Sequence, residues 1–180
     1  MGEELLRRWA EPHRVYHGPS HLVEALNALA LLGGGRTEAL ALWFHDAVFT
    51  GGPDDEAASA ALARARLTAD PEALEVTRLV LITREHRPDP TDGPGARVAD
   101  ADLWNLGAEP ERYRVSVAAL RAEQPGVPDE SWVLTRTERV RNLLSSRLFH
   151  TPLGRSERLP RARANLATEL AQLARSASAG

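Results

Sequence analysis

Two histidine-containing segments and one aspartate pair place ionisable side chains where this sequence is otherwise apolar. The run Ala39-Leu-Ala-Leu-Trp-Phe-His45-Asp46-Ala-Val-Phe49 sets an imidazole directly beside a carboxylate. An ionised carboxylate in apolar surroundings is strongly penalised unless something compensates it. A divalent cation compensates by binding carboxylate oxygen and neutral imidazole nitrogen directly. Hydrogen bonds to neighbouring helices are the other way to satisfy such a pair. The segment Tyr16-His17-Gly18-Pro19-Ser20-His21 spaces two histidines four apart. On one helix that spacing shares a face, but Gly18-Pro19 is a helix start, which leaves His17 just outside and free for a different task. In Val98-Ala99-Asp100-Ala101-Asp102-Leu103-Trp104 two aspartates interrupt an apolar stretch. Two apart on a helix, they point roughly 200° away from each other, so a single ion takes only one and the other caps or orients a neighbour.

Together these segments give the order His…His-Asp…Asp over three helices. In this the chain resembles the HD superfamily of metal-dependent phosphohydrolases, and more narrowly its small bacterial members. The similar segments are Arg14-Val-Tyr-His17, Phe44-His-Asp-Ala-Val-Phe49, Glu56-Ala-Ala-Ser59-Ala60, Thr83-Arg-Glu-His86, Asp100-Ala-Asp-Leu-Trp-Asn-Leu-Gly107 and Ala162-Arg163-Ala-Asn165-Leu166. The resemblance implies an all-α bundle and a metal held by His21, His45, Asp46 and Asp102. Asp102 is preferred to Asp100 because Ala101-Asp102 is similar to the family's closing motif. It also implies that His17 protonates a leaving oxygen, as in the cyclic-nucleotide phosphodiesterase branch. The activity implied is hydrolysis of a phosphate ester or anhydride on a small phosphorylated substrate such as a nucleotide. The alternatives are a metal-containing module that senses a nucleotide without turnover, and a helical interaction protein whose His and Asp residues are hydrogen-bonded core.

Further residues flank this centre. Glu56, with Ser59 on the next helix, is placed to orient a ligand imidazole or a water, or else to serve as an ordinary acid at a helix start. His86 is a candidate for a second metal or a substrate phosphate, or for an end residue stabilised by the helix dipole. Arg14, Arg84 and Arg87 are candidate phosphate clamps, since guanidinium grips phosphate oxygens in pairs. His13 and His150 are read as surface residues. A mixed nitrogen and oxygen shell suits Mn, Fe, Co, Ni or Zn better than Mg or Ca.

Composition narrows the chemistry from the other side. The absence of cysteine removes thiolate nucleophiles, disulfides and cysteine-ligated zinc. All 22 basic residues are arginine, which removes Schiff-base chemistry and the lysine of a Walker-type phosphate loop. A net charge of −3 offers no extended surface for nucleic acid or anionic lipid. The start Met1-Gly2-Glu3-Glu4 is acidic where a signal peptide needs positive charge, and no apolar run approaches membrane-spanning length, so a cytoplasmic location is expected.

Apolar residues recur at three- and four-residue spacing throughout, which predicts one helical domain over 1–180. Helices are expected at about 3–10, 18–32, 37–49, 54–67, 70–86, 96–106, 109–124, 128–147 and 160–175. Arg87 to Gly95 reads as a surface loop near a site, and 176–180 as a frayed tail. Oligomeric state is open.

Overall fold

Glu3 and Glu4 open the first helix and Arg7 and Arg8 close it, each charge opposing the helix dipole, and this helix, α1, spans Gly2–Trp9. Proline fits the first turn of α2 (Pro19–Leu31), and Gly33, in a left-handed conformation at φ 73°, lets the chain leave it. There follow α3 (Arg36–Phe44), α4 (Asp55–Arg66) and α5 (Ala73–Ile82). Asp92 caps α6 (Gly93–Asp102) by accepting from the Gly95 N–H at 2.9 Å, and a 3₁₀ turn (Leu103–Gly107) prolongs it. Pro110 begins α7 (Pro110–Ala122); α8 (Asp129–Ser145), a π turn (Gly154–Arg158) and α9 (Leu159–Ser178) complete the chain. The computed structural model describes residues 1–178, and among these there are nine α-helices and no strand. None of these helices is long and apolar enough to cross a membrane.

Two apolar clusters fill the interior. The first joins α1 to α6 through Leu5, Ala25, Leu29, Leu42, Phe44, Val76, Leu79, Val80 and Val98. The second joins α7, α8 and α9 through Tyr113, Val140, Phe149, Ala162 and Leu166. Trp104, in the 3₁₀ turn, packs against both and welds them into one domain. Gly107 and Gly154 permit this closeness: a Cβ on Gly107 would collide with the Arg158 backbone, and one on Gly154 with the Asp100 carboxylate.

Several boundaries differ from the sequence reading, and two of them shape the site. Helix α3 stops at Phe44 instead of running to Phe49, so His45 is its C-cap and Asp46 lies in the turn beyond. Side chains adjacent on a helix diverge by about 100°, so ending the helix here is what lets the two converge. Helix α5 stops at Ile82 and not near His86, which instead sits in a turn at φ 51°. Helix α6 begins at Gly93, inside the expected loop, because Asp92 supplies the cap. The π turn before α9 is not part of the expected pattern; α9 starts at Leu159, within one residue of the expected position, and runs past 175. Of the expected frayed tail, 176–178 continue this helix, while 179–180 lie outside the described residues.

Candidate metal centre

His21, in the first turn of α2, and His45, at the end of α3, bring their Nε2 atoms to 3.2 Å of each other. Asp102, the last residue of α6, places Oδ1 at 3.0 Å from His21 Nε2 and 3.3 Å from His45 Nε2. Asp46 Oδ2 lies 3.0 Å from His45 Nε2 and 3.7 Å from His21 Nε2. The donor atoms of His21, His45 and Asp102 all fall within 4.8 Å of one another. Atoms bound at about 2.0–2.2 Å to one transition metal ion sit roughly 3–3.5 Å apart, the spacing found here. His45 Nδ1 is 2.8 Å from the Leu42 carbonyl oxygen, which only accepts, so Nδ1 carries a proton and Nε2 is the nitrogen turned to the cluster. Both imidazoles are buried and framed by aromatics: Trp9 packs on each ring, and Tyr16 stacks on His21 with centroids 5.1 Å apart.

The electrostatics ask for a cation. Burial by itself depresses the basicity of His45, but the Asp46 and Asp102 carboxylates outweigh it and raise its pKa well above the ordinary value. Burial raises the two carboxylates, and the histidines, His45 foremost, overcome this and leave both lowered. Two half-buried carboxylates facing two buried imidazoles therefore stabilise a positive charge between them. The donor set fits a divalent transition metal; an oxygen-preferring ion would not select two imidazoles.

His17 stands beside this cluster, its ring centroid 5.8 Å from that of His21, with Phe49 packed at 4.4 Å on it. Its Nδ1 donates to Glu123 Oε2 at 2.7 Å. Glu123 Oε1 accepts from the backbone N–H groups of Val15, Tyr16 and His17, each at 2.8 Å. Burial opposes the charged imidazole, but the Glu123 hydrogen bond and the Asp46 and Asp102 charges prevail, and the His17 pKa is raised.

Other sequence candidates are placed differently. Arg14, expected as a phosphate clamp, has a fully buried side chain whose donors go to the carbonyls of Asp46 at 2.6 Å and His17 at 3.2 Å and to the Glu11 carboxylate at 2.9 Å. It staples the His45-Asp46 turn to the segment carrying His17. His86 lies in the turn beyond α5, and its Nε2 lies 2.8 Å from Asp102 Oδ2. Glu56, half-buried on α4, makes no side-chain hydrogen bond or ion pair among the described residues, and its expected task of orienting an imidazole falls, for His45, to the Leu42 carbonyl. Ser59 instead holds the loop after Asp46 through Val48. Arg84 and Arg87 are exposed, and among the described residues no hydrogen bond or ion pair joins either to the cluster. Asp100 does cap a neighbour: it accepts from the N–H groups of His150 at 2.7 Å and Thr151 at 2.9 Å.

Glu123 and Trp9 are the functional neighbours that sequence reasoning missed. Glu123 is the C-cap of α7, indistinguishable in sequence from a surface acid, and its partners lie more than 100 residues earlier. A cleft of about 230 Å³ opens beside His21, lined by Tyr16, Ser20, Glu24, Arg112 and Ser116. A larger groove between α7 and α9 contains none of the candidate residues. No known family model, curated protein or solved structure matches the chain.

Proposed function

We propose that the chain is a metal-dependent phosphohydrolase of the HD type, acting on a phosphate ester or anhydride of a small molecule such as a nucleotide. The observation that carries this reading is the convergence of His21, His45, Asp46 and Asp102 with a second, separately held histidine beside them. A divalent transition metal of the Mn, Fe, Co, Ni or Zn group, held by those four residues, supplies Lewis acidity toward phosphoryl oxygen and an activated water.

The remaining work belongs to the chain. His17 keeps its Nδ1 proton on Glu123, so any further proton it carries is on Nε2 and available to a leaving oxygen. The Glu123 hydrogen bond and the neighbouring carboxylates raise the His17 pKa against the effect of burial, so the ring keeps that proton to higher pH than a free imidazole does. Trp9, Tyr16 and Phe49 keep bulk water from the imidazole faces. The cleft beside His21 is below the roughly 300–1,000 Å³ of pockets that enclose drug-sized ligands, which favours a substrate held mainly by its phosphate end.

The test is phosphate release from a panel of nucleotides, cyclic nucleotides and simple phosphomonoesters, with Mn²⁺ or Co²⁺ added. Release that stops with chelator and in Asp102→Asn is the expected result. Metal-loaded protein that binds members of the panel and releases nothing is instead a sensing module.

A further inference from the structure

Resting on the metal centre proposed above, we propose that His150 is a positioning residue for that centre, acting through His86. Side chains and backbone groups together form a closed ring that leaves α6 and returns to it. Asp102 Oδ2 accepts from His86 Nε2 at 2.8 Å. The His86 carbonyl oxygen accepts from His150 Nε2 at 2.9 Å. The His150 backbone N–H donates to Asp100 Oδ1 at 2.7 Å, and Asp100 lies two residues before Asp102 on the same helix. Thr151 completes the anchor, giving Asp100 Oδ2 both its N–H at 2.9 Å and its hydroxyl at 2.6 Å.

His86 is the one non-glycine residue in the described chain with positive φ, at 51°. A residue with a Cβ keeps that conformation only where its surroundings hold it. The surroundings here are the Ile82 carbonyl, which accepts the His86 N–H at 2.8 Å, the carboxylate on its ring and the imidazole of His150 on its carbonyl. The His86 carbonyl accepts and cannot donate, so His150 must carry its proton on Nε2.

The consequence lies at Asp102. With Oδ2 engaged by His86, the carboxylate presents Oδ1 to His21 and His45 and cannot rotate freely. Partners of this kind fix ligand orientation and typically account for about 10–100-fold in metal affinity. Removing the His150 imidazole strips the His86 carbonyl of its donor, frees the turn to leave the left-handed region and withdraws His86 from Asp102.

The test is a Co²⁺ titration of the full chain, followed by d–d absorbance, on the wild type, His150→Phe, His150→Gln, His86→Gly and the double variant His86→Gly/His150→Phe. His150→Phe is expected to weaken Co²⁺ about tenfold, and His150→Gln, which can still donate to the carbonyl, to recover most of it. In the His86→Gly background, adding His150→Phe is expected to change affinity by less than about twofold, because the two positions act in series. Should His150→Phe fail to fold, His150→Asn, too short to reach the carbonyl, carries the same comparison. Wild-type affinity in His150→Phe, or the same tenfold loss with and without His86, overturns the assignment. A wild type that takes up no Co²⁺ brings down the metal centre itself, and the inference with it.

Discussion

Glu123 Oε2 lies 2.7 Å from His17 Nδ1 while its other oxygen collects three successive backbone N–H groups, so one carboxylate fixes both the His17 ring and the strand of backbone that carries it. Because the carboxylate holds the His17 pKa up, the protonated form extends to higher pH. Glu123→Gln should lower that pKa, moving the alkaline limb of the pH–rate profile to lower pH. NMR titration of the His17 ring in both proteins checks the cause directly, and an unchanged titration would separate Glu123 from the acid role.

His17→Ala should keep its metal and lose on the order of a hundredfold in turnover, the scale of a lost general acid. A p-nitrophenyl ester, whose leaving group needs no proton, should suffer less than an alkyl ester. Equal losses on both substrates would take His17 out of the chemistry, and loss of metal would make it a ligand.

The two aspartates of α6 should part company. Asp102→Ala removes a candidate ligand and should lower metal content sharply with a modest change in Tm. Asp100→Ala leaves two backbone N–H groups and the Thr151 hydroxyl without their acceptor, a cost of roughly 2–4 kcal/mol seen in thermal unfolding. Metal content measured by mass spectrometry should therefore fall far more in the first. A larger metal loss in Asp100→Ala would reverse the assignment.

Arg14 offers a clean contrast between bracing and substrate binding. Arg14→Lys keeps the charge but loses the fork that spans Asp46, His17 and Glu11. The expected outcome is a fall in Tm of roughly 5–10 °C with KM for the phosphate substrate little changed at low temperature. A selectively raised KM at unchanged Tm would restore the phosphate-clamp reading.

Away from the centre, burial opposes ionised Glu38, but Arg97 and the Gly35 N–H overcome it and lower its pKa. A depressed carboxylate contributes stability above its unfolded pKa of about 4.3 and loses it as pH falls through the folded value. Glu38→Gln should be less stable than wild type near neutral pH, and the two should approach each other in acid. Tm curves that run parallel down to acid pH would contradict this.

Helix periodicity made the all-α fold readable, and the isolated His-Asp and Asp-Ala-Asp groups marked the places where an apolar run had to serve something else. The ends of α3 and α5 were not readable. Nothing between Phe44 and Phe49 breaks a helix locally; Arg14, 32 residues away, accompanies the break by binding the Asp46 carbonyl. Glu123 escaped for a related reason, since an acid at the end of a polar helix carries no local sign of a partner near His17. His150 read as surface because its partners are a backbone carbonyl and the buried Asp100, neither of which leaves a pattern in neighbouring residues.

The most direct measurement is the metal content of the full chain, purified after expression in medium supplemented with Mn, Fe, Co, Ni and Zn, alongside His45→Ala and Asp102→Ala. A transition metal centre built from His21, His45, Asp46 and Asp102 predicts on the order of one ion per chain in the wild type and a small fraction of that in either variant. The same trace metal content in all three proteins, with no thermal shift of the wild type on adding Mn²⁺ or Co²⁺, would contradict it.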